Sequence, residues 1–244
     1  MNKFYFPLLI CFSMGLNFLW GQIRLPRFIS DGVVFQREAP LKIWGWAAPQ
    51  EAITLQFKGA TYTTQADNQG NWNVVIAPQA AGGPYEMLLQ ASNQSKLKDI
   101  MIGDLWICSG QSNMELPMDR VKEKYPEIVR TANNPMIRQF IVPDLYDFNQ
   151  VHNDFEQGDW VAVSPESISQ FSAVAYFFAQ QLQEKYQVPI GIVNVALGGS
   201  PVEAWMSEAA LKAFPDAWEE MQQFKDTNRV KGIQAADQKR SAAW

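Results

Sequence analysis

The sequence has few of the residues that bind metal ions or form disulfides. Its 244 residues include one histidine, His152, and two cysteines, Cys11 and Cys108. Because a zinc site needs a cluster of cysteine and histidine ligands, we predict no metal site. Cys11 lies in an apolar run that we expect to be removed, which leaves Cys108 without a disulfide partner. Cys108 lies in a predicted apolar strand, so we expect it to be a buried small side chain and not a thiol nucleophile.

The sequence also lacks an excess of positive charge. It has 20 lysines and arginines against 25 aspartates and glutamates, for a net charge of −5. Its basic segments are short, whereas a nucleic-acid surface needs clustered basic residues, so we expect no nucleic-acid partner. With 47% hydrophobic and 18% charged residues, the composition is instead typical of a globular protein with a full core.

The N-terminal apolar run is too short for a stable membrane span. It covers residues 4–20, follows Lys3, and contains Asn17 near its end. A basic start followed by a short apolar run is typical of a secretory signal peptide. We therefore predict that residues 1–21 are removed on export. The mature protein is expected in the periplasm or outside the cell, with no stable membrane span.

Residues 22–102 show the alternation of apolar and polar side chains that is typical of half-buried strands. Three runs show this period of two, at positions 53–57, 72–76 and 85–89. Clusters of Gly, Pro, Asn and Asp separate the runs. Short strands at this spacing predict a small antiparallel β-sandwich domain over residues 22–102.

From residue 103 onward, strands alternate with helices, which predicts a parallel sheet with flanking helices. The expected elements are strands at 105–109, 136–142 and 190–196, a helix at 126–131, a helix through the apolar positions 168–182, and a polar helical segment at 216–239. Ser167 and Gln170 can form a capping box at the start of the 168–182 helix. We predict a polar, aromatic loop over 143–165.

The most informative motif is Gly110-Gln111-Ser112-Asn113-Met114, which follows the strand at 105–109. A strand that ends in Gly-x-Ser presents the hydroxyl at the carboxyl edge of a parallel sheet, where active sites of open α/β folds lie. Met114 replaces the second glycine of the α/β-hydrolase elbow, so that motif does not fit. Taken singly, a serine after a strand is more often a helix N-cap. Ser109 is the competing nucleophile, but as a strand residue it should point into the packed scaffold.

This stretch resembles the Gly-Asp-Ser block of the SGNH hydrolases, and its Gly-Gln-Ser-Asn-Met form is similar to the sialate O-acetylesterase branch. A second block, Gly198-Gly199-Ser200 with Glu203 and Trp205, follows the strand at 190–196 and is similar to the second motif of that branch. Taken alone, the second block is more often a simple strand-to-helix turn. The two blocks occur in the family's order, with the Phe171–Phe177 helix segment between them.

The resemblance implies an SGNH-type (flavodoxin-like) α/β fold, with the β-sandwich preceding the parallel sheet. It implies a serine esterase that removes O-acetyl groups from carbohydrates without a cofactor. Ser112 would be the nucleophile, and the N–H groups of Ser112 and Gly199 would form the oxyanion hole. Gln111, Asn113 and Glu203 would bind substrate or support the loops.

The sequence departs from the family in its later motifs. We find neither the Gln-Gly-Glu-like segment, which in the family completes the oxyanion hole, nor the Asp-x-x-His-like segment, which supplies the base and its orienting acid. The chain is therefore expected to hold the nucleophile and half of the oxyanion hole, but not the base. His152 precedes the glycine block and has Asn149 three positions before it, so we interpret it as a loop histidine. Residues 103–244 are therefore expected to be an SGNH domain that is incomplete at its C-terminus, in a truncated chain.

Two alternatives remain open at this stage. The chain could be a non-catalytic carbohydrate-binding fragment, with glycans held by the β-rich part. It could also be a lipase-like member of the same superfamily, which would prefer longer acyl chains.

Overall fold

The computed structural model describes residues 22–242, so the predicted signal peptide at 1–21 lies outside the described residues. The strands are β1 (Val34–Gln36), β2 (Leu41–Trp46), β3 (Ala52–Phe57), β4 (Ala60–Gln65), β5 (Asn71–Ile76), β6 (Gly82–Gln90), β7 (Gln94–Gly110), β8 (Asn134–Ile141), β9 (Trp160–Val163) and β10 (Ile190–Ala196). The α-helices are α1 (Ser112–Glu115), α2 (Pro126–Thr131), α3 (Ala173–Tyr186), α4 (Glu208–Leu211), α5 (Pro215–Phe224) and α6 (Thr227–Ala242). Short 3-10 helices cover Met118–Val121, Ile168–Gln170 and Val202–Trp205.

The alternating segments of residues 22–102 form two facing layers. One layer is the antiparallel pair β2–β5, and the other contains β4, β3, β6 and the first part of β7. Apolar side chains of both layers belong to one buried cluster, including Ile43 from β2 and Leu55 from β3, neither of which is exposed. Alternate side chains of β2, β3 and β5 are removed from water, as the predicted antiparallel β-sandwich requires.

The long strand β7 connects this sandwich to the parallel sheet. Its first part pairs antiparallel with β6, and residues 104–110 pair parallel with β10. The short strand β1 also pairs with β7, in parallel at residues 101–103. The boundary that the sequence predicted between residues 102 and 103 therefore falls within a continuous strand and not in a linker.

The predicted parallel sheet is formed by β7, β10 and β8, with β10 in the middle. Ile192 and Val193 of β10 point to opposite faces of the sheet and are both buried, in two different apolar clusters. This agrees with an apolar strand covered on both faces. A fourth strand, β9, pairs antiparallel with β8 inside the segment predicted as a loop. The four-residue run of β9 is too short to show a period, and it is stabilised by tertiary packing of Trp160 on Phe140.

The main helix, α3, begins later than the sequence pattern indicated. Ser172 is its N-cap, and the Ser172 hydroxyl accepts a hydrogen bond from Ala175 N at 3.2 Å. The predicted capping box of Ser167 and Gln170 is wrong, because Ser167 is the N-cap and Gln170 the last residue of a separate 3-10 turn. The Ser167 hydroxyl is already engaged, since it donates to Ala162 O at 2.6 Å.

A buried arginine on β8 attaches the parallel sheet to the sandwich. Arg138 is 2% exposed. Its guanidinium donates to the carbonyl oxygens of Gly32 (2.8 Å) and Asp99 (2.6 Å) and to the Asp99 carboxylate (2.8 Å). One cation thus satisfies two backbone acceptors on the sandwich side, where unpaired buried carbonyls would be costly.

The C-terminal segment is helical, as predicted, and within residues 22–242 no strand follows Ala196. None of the helices in this described range combines the length and the apolar character that crossing a membrane requires.

Candidate active site

Ser112 lies directly beyond the carboxyl end of β7. Gly110 closes the strand with a φ of 150°, a conformation that side chains with a Cβ rarely adopt. Gln111 occupies the N-cap position of α1, and Ser112 is the first residue of that helix. Ser112 is therefore not the N-cap, and its side chain is exposed.

The glycine block lies beside Ser112 because β7 and β10 are parallel neighbours that end at the same level. Ala196 of β10 is opposite Gly110 of β7, and Leu197 N donates to Gly110 O at 3.0 Å. A Cβ added to Gly198 would be 3.6 Å from both Cα and Cβ of Ser112. The structure thus brings together the two motifs that the sequence analysis singled out separately.

Two side chains of the serine block hold the glycine block directly. Glu115 Oε2 accepts a hydrogen bond from Gly198 N at 2.5 Å. The Gln111 side-chain amide donates to Ser200 O. Gln111 was predicted to bind substrate or to support a loop, and its observed contact is with the loop.

Sequence reasoning did not single out Glu115. The signal that could have found it is its spacing, since a residue three positions after Ser112 lies on the same side of a helical turn.

Residues on the C-terminal side of the Gly198-Gly199 turn also stabilise it through hydrogen bonds. The Ser200 hydroxyl donates to Leu197 O at 2.6 Å and accepts from Trp205 Nε1 at 2.9 Å. Glu203 lies on the same 3-10 helix as Trp205 and is exposed. The side chains of Glu203 and of Asn113, which is also exposed, make no hydrogen bond to the residues that the structure describes.

Two backbone donors at this site are available to a ligand. Within residues 22–242, neither Ser112 N–H nor Gly199 N–H has a hydrogen-bond acceptor. Gly199 has a φ of 77°, and a Cβ there would have nothing within 4 Å, so the space around it is open. These are the two donors that the family resemblance implies for an oxyanion hole.

The competing serine does not point into packed scaffold, contrary to the prediction. Ser109 is exposed, as is Ile107 on the same side of β7, at 73%. Cys108 points to the opposite side and packs in the cluster that includes residues of α3. Burial raises the pKa of the Cys108 thiol, which disfavours the thiolate. Ser109 is exposed because the covering of this face of β7 ends at Leu105, which packs against the buried cluster, and does not reach Ile107 or Ser109.

The single histidine is paired with an acid in the loop after β8. His152 Nε2 is 2.7 Å from Asp147 Oδ2. The backbone N–H of Asn149, and then His152, hold the pKa of Asp147 below its ordinary value. Among residues 22–242, no side chain hydrogen-bonds to Ser112 Oγ, so His152 remains a loop histidine in the described structure.

Asp144, in the loop after β8, is a carboxyl whose pKa is shifted. Partial burial raises the pKa of Asp144, and the negative charge of Glu115 raises it further. In the described part of the chain, no group of three or more His, Cys, Asp or Glu side chains could hold a metal ion.

Comparison with known proteins points to one group of enzymes. Residues 102–235 match the family of carbohydrate esterases described as sialic acid-specific acetylesterases. Human sialate O-acetylesterase is 29% identical over 220 residues, which are 82% of this chain and 41% of the human protein. The mouse sialate O-acetylesterase is 28% identical over 221 residues, covering 82% of this chain and 40% of the mouse protein.

A solved structure supports the same relationship. The crystal structure of a carbohydrate acetylesterase from Xanthomonas citri is 40% identical and superposes with a TM-score of 0.75. The match covers 78% of this chain and 44% of that protein. The chain thus spans about two fifths of the length of the curated relatives that it matches.

Proposed function

The chain belongs to the sialic acid-specific acetylesterase family of carbohydrate esterases, and on that premise we propose that it is an exported serine esterase that removes O-acetyl groups from carbohydrates. The observation that supports this most directly is the convergence of Ser112 with the Gly198-Gly199 turn at one edge of the sheet. An exposed hydroxyl beside two unpaired backbone N–H groups is the arrangement that acyl transfer requires.

In the proposed reaction, Ser112 Oγ attacks the carbonyl carbon of the acetyl ester. The negative charge that develops on the carbonyl oxygen is stabilised by the N–H groups of Ser112 and Gly199. Collapse of the tetrahedral intermediate breaks the ester bond, frees the sugar hydroxyl and leaves an acetyl group on Ser112. Water then hydrolyses this acetyl-enzyme and releases acetate. No organic cofactor or metal ion is needed for these steps.

A general base must accept the proton of the Ser112 hydroxyl. We propose that this base belongs to a segment beyond the described residues. The relatives are more than twice as long as the part that this chain matches. The Asp-x-x-His-like motif of the family would supply the base and the acid that orients it. Export is proposed on the pattern of residues 1–21 alone.

The test uses the protein with the further segment that is proposed to supply the base. It measures acetate release from 4-nitrophenyl acetate and from O-acetylated sialic acid and xylan fragments, with the matching butyrate ester as a control for acyl length. The proposal expects acetate release that favours acetyl over butyryl esters. Preference for the longer acyl chain would instead support a lipase-like activity. Retention on an immobilised O-acetylated glycan, without any acetate release, would support a carbohydrate-binding role and contradict the proposal.

A further inference from the structure

Glu115 connects the two halves of the candidate oxyanion hole. Its backbone belongs to α1, the helix that begins with Ser112, and its carboxylate receives Gly198 N–H at 2.5 Å. Ser112 follows β7, whereas Gly198 follows β10. This one hydrogen bond therefore joins the helix that carries one unpaired donor to the turn that carries the other, Gly199.

The hydrogen bond between Gly198 N–H and the Glu115 carboxylate is charge-assisted, and the small size of Gly198 leaves room for it. Hydrogen bonds from an N–H to a carboxylate are shorter and about twice as strong as neutral ones. A Cβ on Gly198 would overlap Glu115 Oε2, so the carboxylate fits this close to the turn only because residue 198 is glycine.

The two neighbouring glycine donors of the turn differ in their use. Glu115 occupies Gly198 N–H, whereas Gly199 N–H has no acceptor in the described structure. The Gln111 side chain adds a second connection to the far end of the turn, at Ser200 O. The turn is thus fixed to the serine block on both sides of Gly199.

We propose that Glu115 is a positioning residue for acetyl transfer: its carboxylate holds Gly198 so that Gly199 N–H and Ser112 N–H face one oxyanion. This inference rests on the proposed function for its catalytic consequence, but not for its geometry. Misplacement of a reacting group by about 1 Å can cost on the order of 10²-fold in rate.

The geometric part is tested by NMR on the 244-residue chain, using the backbone amide signals of Gly198 and Gly199. Amide protons that donate to a carboxylate resonate downfield, so Gly198 N–H is expected downfield in the wild type. Glu115→Ala should move it upfield and shift Gly199 as well. Glu115→Gln, which keeps an oxygen acceptor, should give an intermediate Gly198 position and a nearly unchanged Gly199. Glu123 is an exposed carboxylate that follows the 3-10 helix Met118–Val121. Glu123→Gln controls for the loss of one negative charge and should change neither the Gly198 nor the Gly199 signal.

The catalytic part is tested by kcat and KM for acetyl release in the form of the protein that is active. Glu115→Ala is expected to lower kcat by about 10²-fold with little change in KM, whereas Glu115→Gln should recover most of the rate. A rate for Glu115→Ala equal to the wild type, or equal losses in the Ala and Gln variants, would overturn the inference.

The two proposals can fail separately. If acetate release does not depend on Ser112, the proposed function fails, while the amide shifts still report whether Glu115 holds the turn. If the Gly198 and Gly199 signals are the same in the wild type and Glu115→Ala, the positioning role is wrong, whatever the activity of the protein.

Discussion

A serine hydroxyl is a weak nucleophile near neutral pH, so the reactivity of Ser112 depends on its surroundings. Ser112 and Ser109 are both exposed, and exposure alone does not separate them. Only Ser112 lies on the turn that faces Gly198. We predict that Ser112→Ala lowers kcat for acetyl release at least ~10³-fold, as in serine hydrolases that lose a triad member. Ser109→Ala is the matched control and should cost far less.

Steady-state kinetics on both variants, with circular dichroism to verify folding, checks this prediction. Near-normal acetate release by a folded Ser112→Ala protein would contradict the assignment of the nucleophile.

Asp144 gives a prediction for the pH dependence of stability. Its pKa is raised above the ordinary value of 3.8 by partial burial and by Glu115. A carboxyl with a raised pKa in the folded state stabilises the fold below the unfolded-state pKa, and this contribution is lost as the pH rises through the folded-state pKa. Asp144→Asn should therefore unfold at higher urea concentration than the wild type at pH 7, and the difference should shrink as the pH falls toward 3.8. If Asp144→Asn is less stable than the wild type at pH 7, the folded protein favours the charged form of Asp144, and the prediction is wrong.

At the level of single residues, the sequence predicted the members of the site but not the bonds between them. Ser112 and Gly199 lie in blocks with recognisable spacing, so both could be singled out. Glu115 could not, because its role depends on a contact with Gly198, 83 positions later in the chain. The orientation of Ser109 was also mispredicted, since it depends on which elements cover β7.

At the level of elements, Arg138 carries the connection between the parallel sheet and the sandwich. Replacing it with methionine would leave the buried carbonyl of Gly32 and the part-buried carbonyl of Asp99 without this donor. We predict that Arg138→Met lowers the free energy of unfolding by about 3 kcal/mol, within the range for breaking a buried polar connection.

Urea denaturation followed by tryptophan fluorescence measures this change. The control is Arg130→Met, because Arg130 pairs with Glu127 on the surface with 70% of its side chain exposed. Such a pair contributes about 0–1 kcal/mol. Equal losses in the two variants would contradict the role assigned to Arg138.

Local patterns predicted the elements well where packing did not compete with them. The bounds of α2 and β10 agree with the sequence, since a proline begins the helix and an apolar run defines the strand. The start of α3 and the existence of β9 were missed. The Ser167 hydroxyl is engaged by Ala162 O in a separate turn, which the helical pattern does not reveal, and β9 depends on the tertiary packing of Trp160 on Phe140.

At the level of the whole molecule, export is the prediction that depends on residues outside the described range. The basic start and short apolar run predict that residues 1–21 are absent from the mature protein. N-terminal sequencing of secreted material should show a first residue near Gln22. Recovery of a soluble cytosolic form that begins at Met1 would count against export, but it would not affect the esterase assignment.

The central claim is that Ser112 carries the acetyl group during turnover, and trapping that group tests it most directly. The active protein is mixed with 4-nitrophenyl acetate, quenched in acid within the first turnovers, digested and sequenced by tandem mass spectrometry, which separates Ser109 from Ser112 within one peptide. We predict an acetyl ester on Ser112 that is absent from the Ser112→Ala variant. Acetylation of Ser109 or of any other residue in place of Ser112, in a protein that releases acetate, would contradict the account.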